Sequence, residues 1–322
     1  MAVPTNTRLT YGAVGIREDL SNIIYNIAPT ETPFLSGCGR ETADNTKFEW
    51  QTDVLATAAA NRALEGNDPE SLAVANPTRV QNYTQISVKA VQTSGTAEAV
   101  DFAGRRSSQA YQLAKRAKEM KRDMEKMLMD NVAAAVGDST TARTTAGLGA
   151  WVGANYHSLG SAPSPPGLGS ACTGDGTDTT TDATSTGTLT EAGMKTVIAE
   201  CFDNGGTPDT ILVDSGNKQV ISALSQTVSE LRTAADKAAP ASVIASVDVY
   251  VSDFGTFKII PDRFQRARDC WFIDFDFWAV AYLRPFRTET LAKTGDSIKQ
   301  MLIAEYGLMS KNQKSSGFLA DV

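Results

Sequence analysis

The run IIYNIAPTETPFLSGCGRETADNTKFEW, residues 23–50, decides the architecture of this chain. Leu20, Ile23, Ile24 and Ile27 recur at helical spacing behind charged Arg17, Glu18 and Asp19, so a short amphipathic helix is predicted to lead into it. Pro29 stops that helix and Pro33 stiffens the exit, because proline fixes φ and withholds an amide donor. Thr46, Lys47, Phe48, Glu49, Trp50 and Gln51 then alternate like a strand.

Working outward, residues 1–15 read as a polar extended arm. Residues 48–54 and 80–91 read as two strands. In the second, Thr84, Ile86, Val88 and Ala90 alternate with Tyr83, Gln85, Ser87 and Lys89. Gly66, Asn67, Asp68 and Pro69 supply turn chemistry between them. The pattern predicts a long hairpin whose strands are too polar on both faces to make a core, so it is expected to project and find a partner elsewhere.

Residues 107–136 hold no Gly or Pro, and Gly137 closes them. Ala110, Leu113, Ala114, Ala117, Met120, Met124, Met127, Leu128, Asn131 and Val132 trace one face at helical period, predicting one long helix that packs on the protein's own sheet. Residues 105–130 carry eight basic and four acidic side chains, read as a solvated face. Residues 138–189 are rich in Gly, Ser, Thr, Ala and Pro, without Lys or Glu. That composition predicts a linker or insertion, with neighbouring subunits as its clamp. An α/β pattern follows. Helices are predicted over 190–204 and 217–224, a buried strand over 210–213, and strands over 243–251, 256–260, 270–275, 278–283 and 297–308.

Among 322 residues, 42% are hydrophobic and 21% charged, which places the chain among globular proteins. A formal net charge of −7 argues against a broad basic face that grips nucleic acid. No apolar run is long enough to span a membrane, and the first residues show no apolar signal core. Cys38, Cys172, Cys201 and Cys270 lack metal or redox spacing and read as buried thiols. His157 is the only histidine, so a histidine-dependent triad has little to stand on. Asp274 and Asp276 are expected to share one face of a strand. A divalent cation there is one reading, and the wet side of an ordinary strand the favoured one. The glycines at 147, 149, 153, 167 and 169 match no phosphate-binding fingerprint. No catalytic, cofactor or metal residue is therefore assigned.

The order of elements resembles the major capsid proteins of tailed bacteriophages, of the Hong Kong 97-like fold. The stretches that carry the likeness are APTETPFL (28–35), TKFEWQTD (46–53), SGTAEAVD (94–101), AYQLAKRAKEMKRDME (110–125), TARTTAGL (141–148) and AKTGDSIK (292–299). The resemblance implies an α+β fold: an N-terminal arm (1–40), an extended β-hairpin loop (41–100), a peripheral domain with the spine helix (101–137 plus 286–322) and an α/β axial domain (190–285). Residues 138–189 would be an insertion or connection. It also implies a non-enzymatic shell protein of the virion, assembled in the bacterial cytoplasm as pentamers and hexamers. Its partners would be itself, portal and scaffolding proteins, decoration proteins, and packaged DNA on the inner face without sequence specificity. Cofactors and membranes play no part. Phe34, Phe48, Trp50, Arg62, Glu65, Arg79 and Tyr83 are the expected contacts between subunits. A surface-layer protein and a metal-dependent enzyme using Asp274 and Asp276 remain the alternatives at this point.

Overall fold

The computed structural model describes residues 29–62, 64–68, 76–102, 104–160, 169–233 and 248–322. The expected arm, its amphipathic helix and the Pro69 turn lie outside these residues, as does the start of the strand expected from 243. Two larger sheets and one ribbon account for the β structure. The first sheet has the order β1-β10-β11-β4, from Gly39–Thr42, Trp278–Thr290, Ser297–Ser310 and Gln85–Ser94. In it β1 runs parallel to β10, and the other pairs are antiparallel. The second sheet has the order β5-β12-β9-β6-β8-β7, from Tyr156–Ser158, Gly317–Ala320, Asp269–Ile273, Thr210–Val213, Gly255–Pro261 and Val249–Ser252. The ribbon pairs β2 (Lys47–Thr52) with β3 (Thr78–Tyr83).

The helices are α1 (Pro33–Gly37), α2 (Gly95–Ala99), α3 (Ser108–Leu128), α4 (Glu191–Asp203) and α5 (Ser215–Thr233). Ser107 caps α3, its hydroxyl accepting from the Ala110 amide, and Thr190 caps α4 in the same way through Gly193. Met120, Met124 and Leu128 of α3 are fully buried against the first sheet, as the helical period predicts. The N-terminal part of that face is looser, since Ala110 and Ala114 are exposed. Met194, Val197, Ile198 and Cys201 of α4 pack with Ile211, Val213, Phe257 and Phe272 of the second sheet.

Helix α3 stops eight residues short of the predicted end, at 21 residues and a rise of about 31 Å. Helix propensity loses there to tertiary hydrogen bonds. Ala134 donates to Gly176 O, Ala135 and Thr144 bridge each other, and Gly147 donates to Val132 O. Gly147 is required at this crossing, because a Cβ there would lie 2.1 Å from the Asp130 carbonyl oxygen.

These contacts overturn the reading of residues 138–189 as a linker clamped by neighbours. Its described parts enter the protein's own core, with Leu148, Ala150, Trp151 and Val152 all at 0% exposure. The chain's own end fastens the tract. Buried Asp321 accepts from the Ala183 amide, from Ser158 Oγ and from Arg268, and its carbonyl accepts from the Gly187 amide. Gly, Ser and Thr predominate because the backbone itself is packed, a demand that composition does not separate from disorder.

Three other expectations need correction. The strand expected over 278–283 is longer: β10 continues to Thr290, absorbing Pro285 in a bulge between Tyr282 and Arg287. Asp274 and Asp276 do not share a strand face. Asp274 is buried and caps a 3-10 turn by accepting from the Asp276 amide, while Asp276 is exposed. Strand β12 falls within the range assigned to the spine-helix domain, but it is an inner strand of the second sheet, between β5 and β9.

Candidate assembly surfaces

The proline elbow is a joint. Pro33 begins α1, where its missing amide is no loss, and the next two amides meet the spine helix. Phe34 N and Leu35 N each donate to a different carboxylate oxygen of Glu125, both at 2.7 Å. Glu125 sits at 0% exposure on α3, so one buried side chain ties α1 to α3. Burial raises its carboxyl from 4.5 to about 7, against the pull of the two amides. The folded state therefore binds this proton more tightly than the unfolded chain does. The stability it contributes is full below pH 4.5 and is lost as pH rises through about 7. We expect Glu125→Gln to flatten part of the stability profile between those values, read by urea unfolding at several pH values. Asp269, likewise pushed up to about 7 by burial, keeps its own share of the slope.

The hairpin pairs in the register Lys47↔Tyr83 to Thr52↔Thr78. It is held to the body by side chains of its own chain. Trp50 Nε1 donates to Ser310 O at 2.8 Å, and its ring lies 5.4 Å from that of Trp151. Phe48 stacks on Trp50 at 5.7 Å. It covers Gly307 of β11 so closely that a Cβ there would stand 2.5 Å from the ring. Asn82 donates to Thr145 Oγ1 and Leu308 O. Trp50→Phe keeps the ring and removes the donor, so a loss of about 1 kcal/mol is expected in denaturant unfolding. At Thr84 the second expected strand divides. Beyond it, β4 pairs with β11 of the same chain rather than with a partner elsewhere.

The expected contact residues thus separate. Phe34 is fully buried between Phe275 and Trp278 and has no surface to offer a neighbour. Phe48 and Trp50 are half-buried and fix the hairpin to its own body, and Tyr83 is half-buried in the ribbon. Arg62, Glu65 and Arg79 are exposed, Arg79 in a solvated pair with Glu49. Beside them stand apolar side chains that sequence reasoning missed: Val54 at 71% exposure, Leu55 at 95% and Leu64 at 83%. Their signal was an apolar pair beyond the last strand residue, in a stretch with no core to fill.

A cleft of about 1,140 Å³ opens where α1, β1, α3 and β10 meet. Leu35, Ala117, Phe286 and Leu302 give it an apolar floor, and Arg40, Glu41 and Lys121 a charged rim. A second feature missed in the sequence is a buried carboxylate on β11. Buried Glu305 accepts from Arg143 at 2.6 Å, Arg284 at 2.7 Å and Thr84 at 2.9 Å, joining the 138–189 tract, β10 and the β3–β4 junction at one carboxylate. Among the described residues, no group of three His, Cys, Asp or Glu side chains is placed to hold a metal ion.

The family model described as SU10 major capsid protein matches residues 3–322. The chain is 29% identical to the major capsid protein of Escherichia phage Phieco32, over 99% of this chain and 97% of the relative. Its fold is similar to that of a chain in the cyanophage A-1(L) capsid asymmetric unit. There the TM-score is 0.68 and the identity 15%, covering 95% of this chain and 97% of the other. It is also similar to a capsid chain of a native GTA particle, with a TM-score of 0.57, 13% identity and 95% of each chain covered. The architecture is the α+β Hong Kong 97-like capsid fold. With a match that runs almost from end to end, the chain belongs to the SU10 major capsid protein family.

Proposed function

We propose that this major capsid protein closes the phage head shell by laying the loop between β2 and β3 over a neighbouring subunit. The observation that carries the reading is the division of the hairpin. Its base is fastened to its own body through Trp50, Phe48 and Asn82, whereas its described tip exposes Val54, Leu55 and Leu64. Isolated apolar side chains on a projecting loop gain about 1.5–3 kcal/mol each on full burial, which makes them contact anchors. The cleft between α1 and β10 is the fitting receptor, with an apolar floor of matching chemistry. Arg62, Glu65 and Arg79 supply the polar rim. Because every subunit both gives and receives a loop, many weak contacts add to a strong shell.

On this reading the division into arm, extended loop, spine-helix domain and axial domain serves assembly in the host cytoplasm, and the role is structural rather than catalytic. The portal, a scaffolding protein and decoration proteins would complete the head, and DNA would fill it. The test is light scattering with electron microscopy on the purified full chain. Closed particles in the megadalton range are the expected result. Flat two-dimensional lattices would favour a surface layer instead. A small oligomer stabilised by added Mg²⁺ or Mn²⁺ would favour an enzyme.

A further inference from the structure

The net charge of −7 conceals a segregation. Lys115, Lys118, Arg122 and Lys126 lie on the side of α3 opposite its buried face, since they fall about 120–180° away from Met120 and Met124 in helical projection. Lys115, Lys118 and Lys126 are exposed, and Arg122 is half-buried over the Phe264 ring at 5.3 Å. None of the four forms an ion pair among the described residues. The acids nearest in sequence are already engaged elsewhere: Glu119 by Arg116, Asp123 by Lys89, and Glu125 by the α1 amides. The row ends at a cleft of about 410 Å³ between α3 and the β8–β9 loop, lined by Lys126, Arg263 and Arg266, with Asp130 as the opposing carboxylate. Arg263 is exposed and unpaired among the described residues, while Arg266 is held by Asp182.

We propose that this face of α3, together with Arg263, points into the shell and contacts the phosphate backbone of packaged double-stranded DNA. The inference rests on the shell reading above and adds which surface faces inward. Eleven residues separate Lys115 from Lys126, a straight rise of about 16 Å. One DNA strand presents a phosphate about every 3.4 Å along the axis, so the row lies alongside about five of them. A rigid row of point cations without an apolar anchor of its own suits a long regular polyanion. A bound acidic polypeptide would need apolar pockets between the charges, and this face has none beyond the Phe264 ring under Arg122. Five cations per subunit neutralise few phosphates, and the acidic remainder repels DNA elsewhere. The wall therefore orders the filling duplex without arresting it, which reconciles an acidic chain with a nucleic-acid cargo.

The test titrates a random-sequence duplex onto free subunits across a salt series. It uses the wild type and the Lys115→Gln/Lys118→Gln/Arg122→Gln/Lys126→Gln variant, with poly-glutamate as the competing polyanion. For the wild type we expect log K to fall with log salt at a slope of about −4.5, and for the variant, which keeps Arg263, a slope of about −0.9, because each neutralised phosphate contributes about −0.9. Wild-type shells closed in the absence of DNA should leave added long duplex unbound, because the row is inside. If the quadruple variant does not fold, Lys115→Gln/Lys118→Gln leaves Arg122 on its ring and should lose about two-fifths of the slope. An unchanged slope in the folded variant overturns the proposal, as does poly-glutamate binding as tightly as DNA. Closed shells that bind added duplex through the row would place it outside and overturn the orientation. Failure of the wild type to form shells would count against the assembly reading, while the subunit titration still reports on the phosphate contact.

Discussion

A chain in which residues 56–76 are replaced by a short Gly-Ser turn is expected to fold, remain soluble and form no closed shells. The cut preserves the paired base, since Thr52 and Thr78 are the last register partners of β2 and β3. It also preserves Trp50 on Ser310 and Phe48 over Gly307. The described residues being removed are exposed in the subunit, so their loss should move its stability by no more than about 1 kcal/mol. What disappears is the reach to a neighbour, together with Leu64. Each subunit loses the same contact, so the effect multiplies around the shell. Light scattering and electron microscopy give the readout. Normal particles from this variant would show that the loop is dispensable. A milder companion, Leu55→Asp, places a charge where burial is proposed and should lower shell yield while leaving subunit unfolding unchanged.

Glu305→Ala is expected to be the most damaging single substitution in the subunit itself. The wild-type carboxylate is 3% exposed and receives Arg143, Arg284 and Thr84 at once. Removing it leaves two guanidinium groups facing each other, half out of water, across an empty site. Loss of one partner from a buried pair costs about 3–5 kcal/mol. Both arginines keep partial solvent access, which places the expectation near the lower end, about 3 kcal/mol. The effect should be visible as a lowered urea midpoint with an unchanged denaturant slope. Glu305→Gln retains the shape and one acceptor and should lose less. A loss below about 1 kcal/mol for the alanine variant would mean that the three segments are held by packing, not by this carboxylate.

Legibility in the sequence followed the range of the interactions. Local signals were readable: the helix expected over 190–204 is α4, and the buried strand expected over 210–213 is β6. The β2–β3 hairpin was also readable, from alternation and turn chemistry. The order of these elements carried the resemblance to phage capsid proteins. Hidden were the features created by distant partners. Helical periodicity runs on past Leu128, but the Gly147 amide, donating to Val132, and the Gly176 carbonyl, accepting from Ala134, capture the backbone first. Glu125 resembles any other acid on a charged helix until α1 docks on it from 91 residues away. Phe34 and Trp50 were expected to contact neighbouring subunits, whereas in the subunit both pack into their own fold. The aromatic signal says that a ring will be buried and does not say by which chain. Composition failed in the other direction at 138–189, where small residues mark a closely packed backbone.

The proposal that the exposed loop joins neighbours is tested most directly by amide hydrogen exchange at residues 53–62, compared between free subunits and closed shells. In the subunit these residues are exposed and outside any strand, so fast exchange is expected. On assembly their exchange should slow by at least tenfold, while the already paired amides of β10 and β11 change little. Equally fast exchange in subunit and shell would contradict the account, because the loop would then lie free on the particle and the shell would be closed by another surface.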